Sequence, residues 1–128
     1  FGFIMERDWK SERIVSIDFD GVIANYDGWK GESHLGKPIE GAIGFIKRLG
    51  ERGFKPVIYT TRNKNRIEEW LKINKFPDIE ITNTKYPSVV YIDDRCVQFK
   101  GNFNILIKDL KKYDVYWRNK PKKIFDDL

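Results

Sequence analysis

The chain has 128 residues, and 24 Lys and Arg against 19 Asp and Glu give it a formal charge of +5, with 41 % hydrophobic and 15 % aromatic content. That suffices for one ordinary core without a second lobe, and no apolar run approaches the ~20 residues of a membrane span, so a soluble single domain without membrane attachment is expected. One cysteine, Cys96, excludes an internal disulfide and suits the cytoplasm. The positive excess gathers late: eight Lys or Arg stand against four Asp from Lys100 onward, read mainly as a solvated basic face and secondarily as a contact for an anionic partner.

Residues 1–13 read as a polar lead-in, with Met5 taken as the natural start and the four residues before it as an addition. The stretch IVSIDFDGVIA, from Ile14 to Ala24, then organises the chain. Its β-branched and aromatic residues predict a buried strand that delivers Asp18 and Asp20 at its carboxyl end, with Gly21 opening the turn. Side chains two apart on an extended backbone leave on the same side, so both carboxylates are expected to face one space while Phe19 enters the core. Two such neighbours repel each other, and a hard divalent cation such as Mg2+, with the phosphate it carries, would relieve them. An exposed acidic turn is the plain alternative.

Residues 25–37, with three glycines and no helical period, predict a loop or small hairpin forming a rim. A first helix is expected over 38–53, a second strand over 55–59 ending in Thr60, Thr61 and Arg62, and a second helix over 65–76. A brief third strand over 79–81 leads into the loop TNTKYP, which holds Lys85. A fourth strand over 89–92 ends in Asp93, Asp94 and Arg95. Residues 98–103 read as a turn or hairpin and 104–113 as a last helix, before a partly ordered basic tail over 114–128. Strands alternating with helices predict an α/β sheet with right-handed crossovers, whose ligands sit outside the carboxyl ends of the strands.

The ordered set DFDGV, YTTR, the lysine of TNTKYP and YIDDR resembles the four motifs of the haloacid dehalogenase (HAD) superfamily, over Ile14 to about Phe103. The resemblance implies a Rossmann-like three-layer sandwich with a mainly parallel central sheet, a catalytic domain over 14–113, and Mg2+-dependent phosphomonoester hydrolysis. No room remains for the cap domain that many relatives insert. By motif, Asp18 is the expected nucleophile, forming an aspartyl-phosphate, and Asp20 the general acid and base. Thr60 is expected to donate to the phosphoryl oxygens, with Thr61 as the competing substrate contact and a helix or turn cap as the alternative, and Arg62 is expected either to reach the substrate or to cap the surroundings of the second helix. Lys85 is expected to neutralise the phosphoryl group, with Lys75 as its rival because Lys85 lies closer to the last motif than in many relatives. Asp18, Asp93 and Asp94, with Asp20 through its backbone carbonyl, make the expected Mg2+ set.

Trp29 and Tyr26 are candidates for stacking on a substrate ring or for pinning their loop. The partner is a phosphorylated substrate, small or macromolecular. The basic last quarter and the IDDR ending, which resembles that of polynucleotide 3'-phosphatases, keep a nucleic-acid end open as one alternative. A non-enzymatic phosphate- or metal-binding module is another, and an open site leaves room for an oligomer to cover it.

Overall fold

The computed structural model describes residues 13–128, so almost all of the expected lead-in lies outside the described residues. The chain divides into two compact units, one ending at Ile92 and the other running Asp93–Leu128. The first holds β1 (Ile14–Ile17), α1 (Ala42–Glu51), β2 (Lys55–Tyr59), α2 (Lys64–Ile73), β3 (Glu80–Thr82) and β4 (Val90–Ile92). The four strands form one all-parallel sheet in the order β3-β2-β1-β4, the α/β Rossmann-like sandwich expected from the alternation of elements.

Alternation along the strands sorts the two faces of this sheet. Val15 and Ile17 of β1, Ile58 of β2 and Ile81 of β3 share one buried cluster with Ile46 of α1 and Ile67, Trp70 and Leu71 of α2. Both helices therefore cover the same face. Phe19 is fully buried there and meets Trp70 edge-on, with ring centroids 4.8 Å apart. The other face is more polar: Ser16 and Ser88 share a hydrogen bond of 2.7 Å, and Glu80 accepts from Tyr86 at 2.6 Å and pairs with Lys55 at 2.7 Å.

That last cluster makes an acid-sensitive brace between neighbouring strands. The Lys55 ammonium, then the Tyr86 hydroxyl, hold the Glu80 carboxyl below its ordinary value of 4.5, against a smaller opposing push from burial. A carboxyl depressed in the folded state adds stability above its unfolded pKa and loses it as pH falls through the folded one. The gap in urea midpoint between the parent and Glu80→Gln is accordingly expected to be widest at neutral pH and to close on acidification.

Helix boundaries follow from local backbone chemistry. α1 starts later than the expected 38 because Pro38 pairs with Ala24 in an antiparallel bridge and Gly41 takes a left-handed φ of 89° that no helix continues. It ends where the Phe54 N–H returns to the Leu49 carbonyl and Gly53 supplies a φ of 84°. α2 starts at Lys64 because the Asn63 side chain accepts from the Asn65 and Arg66 N–H groups, at 3.0 and 3.2 Å. β3 begins one residue late, since Ile79 packs on the core before the ladder forms.

The second unit contains α3 (Phe103–Lys111), capped by Asn102, whose side chain accepts the Ile105 N–H at 3.1 Å. The expected start at 104 missed this earlier asparagine. Residues 98–102 hold no strand; Phe99 instead packs against Phe103 with centroids 5.0 Å apart. Beyond α3, Asp114 gathers the tail, accepting from the Val115 and Lys122 N–H groups and from Arg118. No helix among the described residues is long and apolar enough to cross a membrane.

Candidate functional site

Because all four strands run parallel, the residues that follow them leave the sheet at one edge. β1 hands over to Asp18, β2 to Thr60, β3 to the loop carrying Lys85, and β4 passes directly into Asp93. Ile17 is the register partner of Ile92, and the Asp18 N–H donates to the Ile92 carbonyl at 2.8 Å, extending the ladder by one bond. The Thr60 N–H does the same to Thr82 at 3.0 Å. Lys75, the rival lysine, follows the end of α2 and precedes β3, so it lies at the opposite, amino edge of the sheet.

The alternation expected to carry both carboxylates stops early. After Ile17 the backbone turns, with the N–H groups of Val22, Ile23 and Ala24 converging on the Phe19 carbonyl and Gly21 at a φ of 84°. Asp18 and Asp20 are both half-buried, and a turn rather than a strand positions the second of them.

Asp20 is held by Arg62. Arg62 Nε donates to Asp20 Oδ2 at 2.7 Å and Nη2 to Oδ1 at 3.1 Å, a two-pronged pair in which the Arg side chain is 3 % exposed and the Asp side chain 19 %. The third nitrogen, Nη1, donates to the Gly31 and Glu32 carbonyls of the rim loop, at 3.3 and 3.1 Å. Trp29 of the same loop lies over the guanidinium, 4.7 Å from its ring centroid. The Arg62 side chain is thus committed to Asp20 and to the rim loop. Glu32 completes the junction by accepting the Asn63 N–H at 2.8 Å, so the rim loop and the start of α2 are tied together.

Thr60 is buried beneath this junction, and its hydroxyl oxygen accepts the Arg62 N–H at 3.2 Å. A hydroxyl that accepts still has its own proton to donate, here at the edge of the sheet. Thr61 is exposed, and Lys85, also exposed, sets its ammonium 4.8 Å from the Tyr91 ring centroid.

The rim loop is locked at its base. The Asn25 N–H donates to the Lys37 carbonyl at 2.8 Å, and its side-chain amide reaches the Lys37 and Pro38 carbonyls. Trp70 Nε1 donates to the Gly36 carbonyl at 2.9 Å, anchoring the loop to the core. Gly36 runs so close to Asn25 that a Cβ added to it would lie 2.0 Å from the Asn25 carbonyl oxygen. Gly36→Ala must therefore spread the loop base, and a loss of about 2 kcal/mol, typical of overpacking, is expected in urea denaturation.

In the second unit, the Arg95 N–H donates to Asp93 Oδ1 at 3.0 Å and Cys96 Sγ contacts the Asp93 carbonyl at 3.4 Å, an acid-centred turn. Trp117 Nε1 donates to Asp94 Oδ2, while Asp94 Oδ1 is buried without a hydrogen-bond partner among the described residues. A buried carboxylate oxygen left in this way is costly and suits a cation as its missing partner. The Arg62 clamp and the Trp117 hydrogen bond were not legible in the sequence. Each joins residues far apart along the chain, and nothing local marks Trp117 within its basic tail.

An α/β Rossmann-like sandwich with its polar chemistry at the carboxyl edge of a parallel sheet is the class of protein defined by these features. Among solved structures, a conserved protein from Bacteroides thetaiotaomicron is similar in fold at 20 % identity, with a TM-score of 0.51, covering 79 % of this chain and 91 % of that one. No family model matches the chain, and no curated protein matches it by sequence.

Proposed function

We propose that this chain is a capless phosphomonoesterase of the HAD superfamily, dependent on Mg2+ and working in the cytoplasm on a phosphorylated substrate. The observation that carries the reading is the common edge: segments bearing Asp18, Thr60, Lys85 and Asp93 each follow a strand of one parallel sheet, in the order of the resembled motifs. By the resembled motifs Asp18, Asp93 and Asp94 are the carboxylates for a divalent ion, and Asp94 Oδ1, without a hydrogen-bond partner among the described residues, fits an oxygen-seeking cation. These three, with the Asp20 carbonyl, would hold Mg2+, which supplies neutralising charge for the phosphoryl oxygens.

The residues of the chain divide the chemistry among them. An Asp18 oxygen bonds to phosphorus as the ester P–O bond breaks, and the leaving oxygen takes a proton from Asp20. Water then attacks the phosphorus, gives its proton to Asp20, and releases Asp18 and inorganic phosphate. Each Asp20 oxygen uses one lone pair on Arg62 and keeps another for this transfer. Thr60 donates its hydroxyl proton to a phosphoryl oxygen, and Lys85 balances the charge that spreads in the transition state.

Phosphate release from a panel of phosphomonoesters, with Mg2+ or with chelator, tests the reading. Metal-dependent release is expected. No release from any ester while Mg2+ still binds would replace the enzyme with a phosphate- or metal-binding module.

A further inference from the structure

The side chain of Trp29 is an unusual expense for a surface loop. It is 61 % exposed, yet it is not loose: Arg62 lies under it at 4.7 Å. Arg62 is in turn fixed by both Asp20 oxygens and by two carbonyls of the same loop. The cation occupies one side of the indole, and no other aromatic ring among the described residues contacts it. A large flat π surface is thus held rigid at the rim with much of its area turned to water.

Held aromatic surfaces of this kind lose little freedom when a second planar group lies on them, which favours stacking. The arginine beneath also withdraws electron density from the indole, and an electron-poor platform suits the polarisable face of a heterocycle. One guanidinium separates the ring from the Asp20 carboxylate. A nucleoside monophosphate joins such a heterocycle to a phosphomonoester through one sugar. Simple sugar phosphates would leave the platform uncovered.

The geometry points to Trp29 as a stacking platform for a nucleobase, which makes the substrate class of the proposed phosphatase nucleoside monophosphates. This inference rests on the proposed reaction for the position of the phosphate, but base stacking is measurable without turnover. The binding of adenosine 5'-monophosphate and of ribose 5-phosphate is compared by calorimetry in Mg2+. Asp18→Asn serves as the background, so that neither ester is consumed, and Trp29→Ala and Trp29→Phe are added to it.

The base is expected to tighten binding about tenfold over the sugar phosphate, within the range found for one base on one aromatic ring. Trp29→Ala is expected to erase that difference, and Trp29→Phe to keep most of it. Equal affinity for the two esters, a preference that survives Trp29→Ala, or no binding of either one overturns the platform. The phosphate-release assay stands apart from this experiment. A Trp29-dependent base preference in a chain that releases no phosphate would overturn the catalytic reading and leave the platform standing.

Discussion

Replacing Asp18 by Asn is expected to reduce Mg2+-dependent phosphate release by about 10^4-fold or more, the scale on which removal of a covalent nucleophile acts. The substitution nearly preserves shape, and the Asp18 main-chain bond to Ile92 does not depend on the side chain. The fold should therefore survive, with an unchanged urea midpoint. An amide oxygen is a poor nucleophile towards phosphorus, so the covalent role of Asp18 is removed, while a neutral oxygen that a cation can still take as a ligand remains. Steady-state phosphate release, measured beside the midpoint, separates lost chemistry from lost structure. Retained turnover in a well-folded Asp18→Asn chain would remove Asp18 from the reaction.

Arg62→Ala is expected to cost about 3 kcal/mol of stability, the low end for breaking a buried ion pair, because Asp20 keeps some access to water and can partly resolvate. Asp20→Ala should cost more. It leaves a guanidinium that is 3 % exposed with two carbonyls and an indole in place of a carboxylate. The double variant is then expected to be less destabilised than the sum of the two, since neither partner is stranded. Urea unfolding of the four chains closes the cycle, and additivity within about 0.5 kcal/mol would show that the pair is not coupled. Arg62→Lys should recover only part of the loss, because an ammonium cannot serve both Asp20 oxygens and two loop carbonyls in one plane.

The sheet was legible because its signals are local. KPVIY is apolar between polar flanks, and β2 occupies that span. Phe19, between two acids, had one place to go, and it is buried against Trp70. Errors fell where a neighbour outside the window decided the outcome. Pro38 reads as a helix start, yet pairing with Ala24 claims it. Asn102 and Asn104 are equally good caps by sequence, and the backbone chose the earlier. For the candidate site, the strand ends could be read in advance, since a parallel sheet brings its carboxyl ends to one side. The Arg62 clamp could not, because it joins Asp20 across 42 positions and depends on where the rim loop closes. Lys75 and Lys85 were separable once the crossover direction placed them at opposite edges.

The locked base of the rim loop has a consequence for how this fold can change. With Asn25 already joined to Lys37 and Pro38, and Gly36 tied to Trp70, the intervening residues are an appendage whose two ends the sheet side of the molecule fixes. The entropy of closing such a loop grows only with the logarithm of its length, about 0.6 kcal/mol for each doubling. Residues can be inserted beyond the clamp, or the tip that carries Trp29 exchanged for another, at little expense to the parallel strands. The loop is a modular graft point, where the proposed ligand preference can be rewritten while the carboxylates and hydroxyl at the strand ends keep their places.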